Sequence, residues 1–308
     1  MANLREFTYP SSDGVHQIHA AEWTPDTVEP RGVVQLVHGI SEYILRYAPF
    51  AEYLTKYGFI VVGDDHLGHG KTAKGPEEYG FISERGGWTH MADDVRALRV
   101  LTGEKYPALP YFLLGHSMGS FLARTYLIRW PGTLAGAVIS GTGQEAAPTV
   151  ALGKFLTGLG DPHKVNKLVN SLSLGAYNKK FAPNRTGADW ISRDEKIVDA
   201  YVADPLCSFV PTAGMNHDMM GGLQFIAKKE NLAKMDRDTP VYFFSGDQDP
   251  VGGMGEGVKK VFGFFQSAGV KDLTMKLYPG GRHEMLNELN RAEVYADVLA
   301  WLEKHLPG

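Results

Sequence analysis

The sequence predicts an α/β architecture: a mostly parallel eight-stranded sheet with helices on both faces and a helical cap inserted in its second half. Three observations carry that expectation. Short, nearly continuous apolar runs recur along the chain, amphipathic stretches of helical length separate them, and one segment, 143–213, holds no convincing buried strand. Continuous apolar runs belong to strands covered on both faces. Strand–helix alternation implies right-handed crossovers and a parallel sheet.

Strands are expected at 7–9, 16–22, 33–38, 60–64, 111–114, 136–140, 241–245 and 274–278. The stretch 16–22 alternates, as a half-exposed antiparallel strand does. Val33-Val34-Gln35-Leu36-Val37 and Ile60-Val61-Val62 are nearly continuous, as buried parallel strands are. The clearest helices fall at 47–57, 89–104, 118–130, 257–268 and 291–305. The last places Val294, Val298, Leu299 and Leu302 at helical spacing. In 89–104, Asp93 and Asp94 come early and Arg96 and Arg99 later, matching the helix dipole. The strandless segment has helical stretches at 150–159 and 165–172 and is too long for an ordinary loop. The expected division is a core of 1–142 with 214–308 and a cap of 143–213.

Composition narrows the function classes. The 308 residues carry 31 Lys and Arg against 35 Asp and Glu, a formal net charge of −4, which offers no electrostatic footprint for nucleic acid. Cys207 is the only cysteine, so an internal disulfide and a thiolate-built zinc site are both excluded. No stretch approaches the ~18 apolar residues of a membrane span. The first seven residues lack the apolar region of a signal peptide. A cytoplasmic enzyme that uses neither metal nor cofactor is the simplest expectation.

The most informative stretch is Gly115-His116-Ser117-Met118-Gly119, a G-x-S-x-G pentapeptide with an apolar run before it and a helical pattern after it. A nucleophilic serine needs a sharp strand-to-helix turn, and flanking glycines relieve the crowding there. The start of the helix also brings a positive end near a developing oxyanion. A second oxyanion donor is expected after the strand 33–37, in His38-Gly39-Ile40, so the backbone N–H groups of Ile40 and Met118 are the candidate pair. Of eleven histidines, His283 alone follows the last strand and precedes the final helix, where the general base of this arrangement belongs. Asp247 and Asp249 both follow the strand 241–245, and spacing does not separate them. Gly70-Lys71-Thr72 resembles the end of a phosphate-binding loop, but the position that needs glycine is Asp65. His66 and His69 lack a ligand set for zinc and are read as residues that order their loop.

Five blocks in order carry a family resemblance: His38-Gly39-Ile40-Ser41-Glu42 with Arg46-Tyr47; Asp65-His66-Leu67-Gly68-His69-Gly70; the serine pentapeptide; Gly246-Asp247-Gln248-Asp249-Pro250-Val251; and His283-Glu284-Met285-Leu286-Asn287-Glu288. With them the chain resembles the monoacylglycerol lipase and lysophospholipase branch of the α/β-hydrolases. The resemblance assigns the acid to Asp249, giving a Ser117–His283–Asp249 triad. It implies hydrolysis of esters of a single acyl chain and a cap that holds that chain. Phe155, Leu156, Leu159 and Leu174 are candidate wall residues of the cap, and its apolar surface is a candidate for transient contact with membranes or micelles. The implied partner is a small lipid-like ester. The rivals are a short-chain or aryl carboxylesterase, a peptidase with the same triad, and a non-catalytic binding protein. Dehalogenase and epoxide-hydrolase chemistry needs a carboxylate where Ser117 stands.

Overall fold

All eight expected strands form one sheet in the computed structural model, which describes residues 2–172 and 174–307. They are β1 (Asn3–Pro10), β2 (Gln17–Thr24), β3 (Gly32–Val37), β4 (Phe59–Asp64), β5 (Tyr111–His116), β6 (Gly136–Ser140), β7 (Val241–Gly246) and β8 (Leu273–Tyr278). Their order is β1-β2-β4-β3-β5-β6-β7-β8. β1 and β2 are antiparallel, β2 meets β4 antiparallel, and all later pairs are parallel. The central strands β3 to β7 are buried along their whole length, as their continuous apolar runs require. β1 is longer than expected because its polar residues lie on an exposed edge, where periodicity is a weak signal.

Eleven helices are numbered in chain order among the described residues: α1 (Ala48–Thr55), α2 (Gly87–Lys105), α3 (Met118–Arg129), α4 (Ala147–Thr157), α5 (Lys167–Leu172), α6 (Leu174–Tyr177), α7 (Glu195–Ala203), α8 (Ala213–Ala227), α9 (Lys229–Leu232), α10 (Glu256–Ala268) and α11 (Arg291–Lys304). One face of the sheet is covered by α2, α3, α8 and α10, through residues such as Val95, Leu122, Met215 and Val261. The other is covered by α1 and α11, through Phe50, Leu54, Val298 and Leu302. Gly269 ends α10 at φ +88°, a left-handed C-cap that glycine adopts without strain.

From β6 to β7 the chain makes helices only, α4 through α9. Ala188, Trp190, Ile191, Val198, Tyr201 and Cys207 form a third apolar cluster, separate from the two that cover the sheet. That cluster packs apart from the sheet, whereas α4, α8 and α9 join the core over the sheet through Val150, Met215, Leu223 and Leu232. Burial pushes the Cys207 thiol far up, so it stays a neutral apolar group. Among the described residues no helix is long and apolar enough to cross a membrane.

Candidate active site

β5 runs straight into α3 with only Ser117 between them. Ser117 adopts φ +54° and ψ −121°, a strained conformation for a residue with a side chain. The turn holds because its own backbone is satisfied: Ser117 N–H donates to Ser140 O at 3.0 Å, and Ser120 Oγ donates to Ser117 O at 2.6 Å. The two glycines of the pentapeptide are steric necessities. A Cβ on Gly115 would stand 2.3 Å from Gly119 O, and one on Gly119 would stand 2.0 Å from Val37 O. The start of α3 therefore presses directly on the ends of β5 and β3.

Of the two aspartates after β7, Asp249 is the one beside His283. Both its oxygens lie 3.0 Å from His283 Nδ1, while Ser245 Oγ and Val251 N–H donate to the same carboxylate at 2.8 and 2.9 Å. Asp247 instead accepts from Gly280 N–H at 2.8 Å and orders the turn after β8. Burial drives the His283 pKa down, but the charge and hydrogen bond of Asp249 outweigh it and hold the imidazole above its ordinary value. Burial would raise the Asp249 carboxyl, yet His283, Ser245 and Val251 keep it below the usual range. With Nδ1–H committed to Asp249, Nε2 is the free lone pair, buried and without a hydrogen-bond partner. Among the described residues no hydrogen bond joins it to Ser117 Oγ, although Ser117 and His283 line the same cavity. Such contacts are often long before substrate binds.

Ile40 sits on a loop whose geometry is fixed from both sides. His38 Nδ1–H donates to Gly39 O at 2.7 Å, and Gly39 N–H donates to Glu42 Oε1 at 2.6 Å. His38 Nε2 in turn accepts from His66 N–H at 3.0 Å, which sets the His38 tautomer. Because a trans peptide is planar, holding the Gly39 carbonyl in one direction sends the Ile40 N–H in the opposite one. Neither that N–H nor the Met118 N–H has an acceptor within the chain among the described residues. The His66 ring stacks on His38 at 4.0 Å and His69 meets it edge-on at 5.2 Å. Burial first, then the neighbouring imidazoles, holds His38 well below the ordinary histidine range. His66 and His69 thus order the loop that carries Ile40.

Two cavities meet at Ser117 and Ile40. One, about 250 Å³, is mostly apolar and adds Met118, Phe121, Leu156, Leu172, Met219 and Leu223. The other, about 290 Å³, is also mostly apolar in area but adds Glu42, His116, His283 and Glu284, which make it the polar side of the junction. Trp190 borders both, and its ring lies 5.0 Å from that of His283.

A family model described as "Serine aminopeptidase, S33" matches residues 28–290. The chain is 31% identical over 306 residues to the monoacylglycerol lipase of Mycolicibacterium smegmatis, covering 98% of each protein. It is 27% identical to the human monoglyceride lipase, over 92% of this chain and 85% of that one. The chain belongs to the serine aminopeptidase S33 family. Its fold is that of the α/β-hydrolases. The structure of a thermostable carboxyl esterase from Bacillus coagulans, in complex with glycerol, superposes with a TM-score of 0.91 at 33% identity, over 99% of both chains. A soluble variant of the Saccharomyces cerevisiae monoglyceride lipase shares the fold, with a TM-score of 0.76 at 21% identity over 100% of this chain and 96% of that one.

Within this monoacylglycerol lipase-like α/β-hydrolase, the cap residues expected to form the acyl wall divide. Leu156 lines the apolar cavity. Phe155 and Leu159 do not: they are 64% and 57% exposed, Phe155 on the outer side of α4 and Leu159 just past its end, beside Lys154 and His217. Helical geometry explains the correction at Phe155, since adjacent residues 155 and 156 are rotated apart by about 100°, and Leu159 lies beyond the end of the helix. The Leu174 side chain lies outside the described residues. Reading the sequence by residue type also leaves Glu42, Arg46, Glu284 and Trp190 without a task. Arg46 bonds Glu284 at 3.0 and 2.8 Å and Glu42 at 2.7 Å, a buried cluster beside the polar cavity. The only sequence signal for it is that these residues fall inside the blocks that carry the family resemblance. Trp190 is tied down with its neighbours: Glu284 N–H donates to Ile191 O at 2.7 Å, Arg282 bonds the carbonyls of Asp189 and Ser192, and Arg193 bonds Glu288.

Proposed function

We propose that the chain hydrolyses carboxylic esters of a single acyl chain with a small hydroxylated alcohol, monoacylglycerols above all, and that Ser117, His283 and Asp249 are its catalytic triad. The observation that carries this reading is the pair of unlike cavities meeting at Ser117: the apolar one suits an alkyl chain and the polar one a hydroxylated alcohol. Ser117 Oγ attacks the ester carbonyl and passes its proton to His283 Nε2, while Asp249 stabilises the imidazolium. The N–H groups of Ile40 and Met118 receive the oxyanion, each expected to contribute a factor of ~10²–10³. The imidazolium then protonates the departing alcohol. A water activated by the same histidine cleaves the acyl-enzyme and frees the fatty acid. The chain length of the preferred acyl group follows from the apolar cavity, whose cap wall includes Leu152, Leu156, Val169 and Leu172.

The exposed Phe155, Leu159 and Leu168 on the cap supply an apolar surface for transient contact with the micelles or bilayers in which such esters reside. The test is a series of esters from acetyl to hexadecanoyl, assayed with wild type and Ser117→Ala. Peak turnover on medium or long acyl chains, abolished in the variant, supports the reading. A preference for acetyl or aryl esters, or cleavage of peptides only, overturns it.

A further inference from the structure

Apart from the His283 imidazole, the charged side chains that line the polar cavity are of one sign. Among the described residues that line it, only Glu42 and Glu284 bear carboxylates, and none bears a lysine or arginine cation. His116 also faces it, but burial and then the repulsion of His283 hold its pKa to about 3, so it is neutral. The balancing cation is set back. Arg46 does not line the cavity, is occupied by hydrogen bonds to both carboxylates, and lies 4.9 Å from the ring of Tyr201, which does line it. Burial raises the Glu42 carboxyl above its ordinary range, whereas Arg46 holds Glu284 below its own, so Glu284 is the carboxylate whose charge the cavity meets, with its guanidinium set behind it. Asp249 adds another behind His283 whenever that imidazole is neutral. The aromatic residues Trp190, Tyr201 and Phe209 also line it. Carboxylates with aromatic faces form a setting that attracts an organic cation and repels an anion.

We propose that the alcohol side of the site selects by charge: it favours esters of cationic alcohols and rejects anionic, phosphate-bearing or sulfonate-bearing ones, with Glu284 as the specificity-determining residue. The proposal rests on the esterase reading above and extends it, because shape and hydroxyl content alone do not separate a glyceryl from a glycerophosphoryl ester.

Three octanoyl esters of similar size test it, those of choline, 3,3-dimethylbutanol and isethionate, each rate normalised to its hydroxide hydrolysis. kcat/KM is expected to fall from the cationic to the neutral to the anionic ester, by on the order of tenfold per step. Glu284→Gln keeps the side-chain shape and removes the charge. It is expected to shrink the cation-to-anion ratio at least tenfold, with the neutral ester as internal reference. If that variant does not fold, the same order is read on wild type from competitive inhibition by free choline, 3,3-dimethylbutanol and isethionate. Equal normalised rates for the three esters overturn charge selection and leave the esterase reading standing. Hydrolysis of none of them overturns both. A wild-type spread that persists undiminished in folded Glu284→Gln removes Glu284 from the role.

Discussion

The two cavities at Ser117 are built to different standards. On the polar side every charged group is held by several partners: Glu42 by Gly39, Arg46 and Tyr47, and Glu284 by Arg46 and Asn287. On the apolar side the wall includes cap residues that remain 58% and 70% exposed, Leu152 and Leu172, and no hydrogen bonds fix their side chains. The contrast teaches where tolerance lies. The chemistry needs positions fixed to within fractions of an ångström, whereas an alkyl chain needs only a dry surface of adequate length.

Substitutions can break or sharpen this contrast, and the largest effect is expected at the junction itself. Ser117→Ala should lower kcat on the order of 10⁶-fold and abolish labelling by a fluorophosphonate, mapped by mass spectrometry, while KM-like binding of both substrate halves survives. Next comes Asp249→Asn, with a loss of ~10⁴. The pH profile sharpens that test. The base form of His283 exists only above its raised pKa, so wild-type kcat/KM should rise along an acid limb centred above the ordinary 6.5, and removing the carboxylate should move that limb to lower pH. His38→Ala frees the Gly39 carbonyl. A fall in kcat on the order of 10²-fold with little change in KM is expected, and an unaltered kcat would show that the loop needs no such brace.

The smallest effects belong to the apolar side. Leu156→Trp should reduce turnover of hexadecanoyl relative to octanoyl esters roughly tenfold, as a few displaced methylenes would. Phe155→Ala, one residue away and facing outward, should leave that ratio unchanged and weaken sedimentation with lipid vesicles. If the two variants exchange these phenotypes, the assignment of the two faces of α4 is wrong.

The sheet was legible because burial on both faces leaves an unmistakable apolar signature in β3 to β7, and the serine turn because its glycines answer to backbone contacts that admit no Cβ. Asp247 and Asp249 were not separable from spacing alone, since the backbone turn that aims one at His283 and the other at Gly280 is a tertiary fact. Phe155 and Leu159 were misplaced because hydropathy names apolar residues without saying which face of α4 meets the cavity or where the helix ends. Glu42, Arg46 and Glu284 stayed silent for a related reason. A buried ion cluster joins residues more than two hundred positions apart, and no periodicity records it.

The stretch from Asp189 to Arg193 is bolted to the loop that presents His283, through bonds that run in both directions between Ile191, Ser192, Arg282, Glu284 and Glu288. That gives the roof a fixed jamb on the side of the imidazole. The opposite leaf, α5 and α6, lines both cavities through Val169, Leu172, Gly175 and Tyr177, so a bulky guest meets it on the side away from the imidazole and its indole shutter.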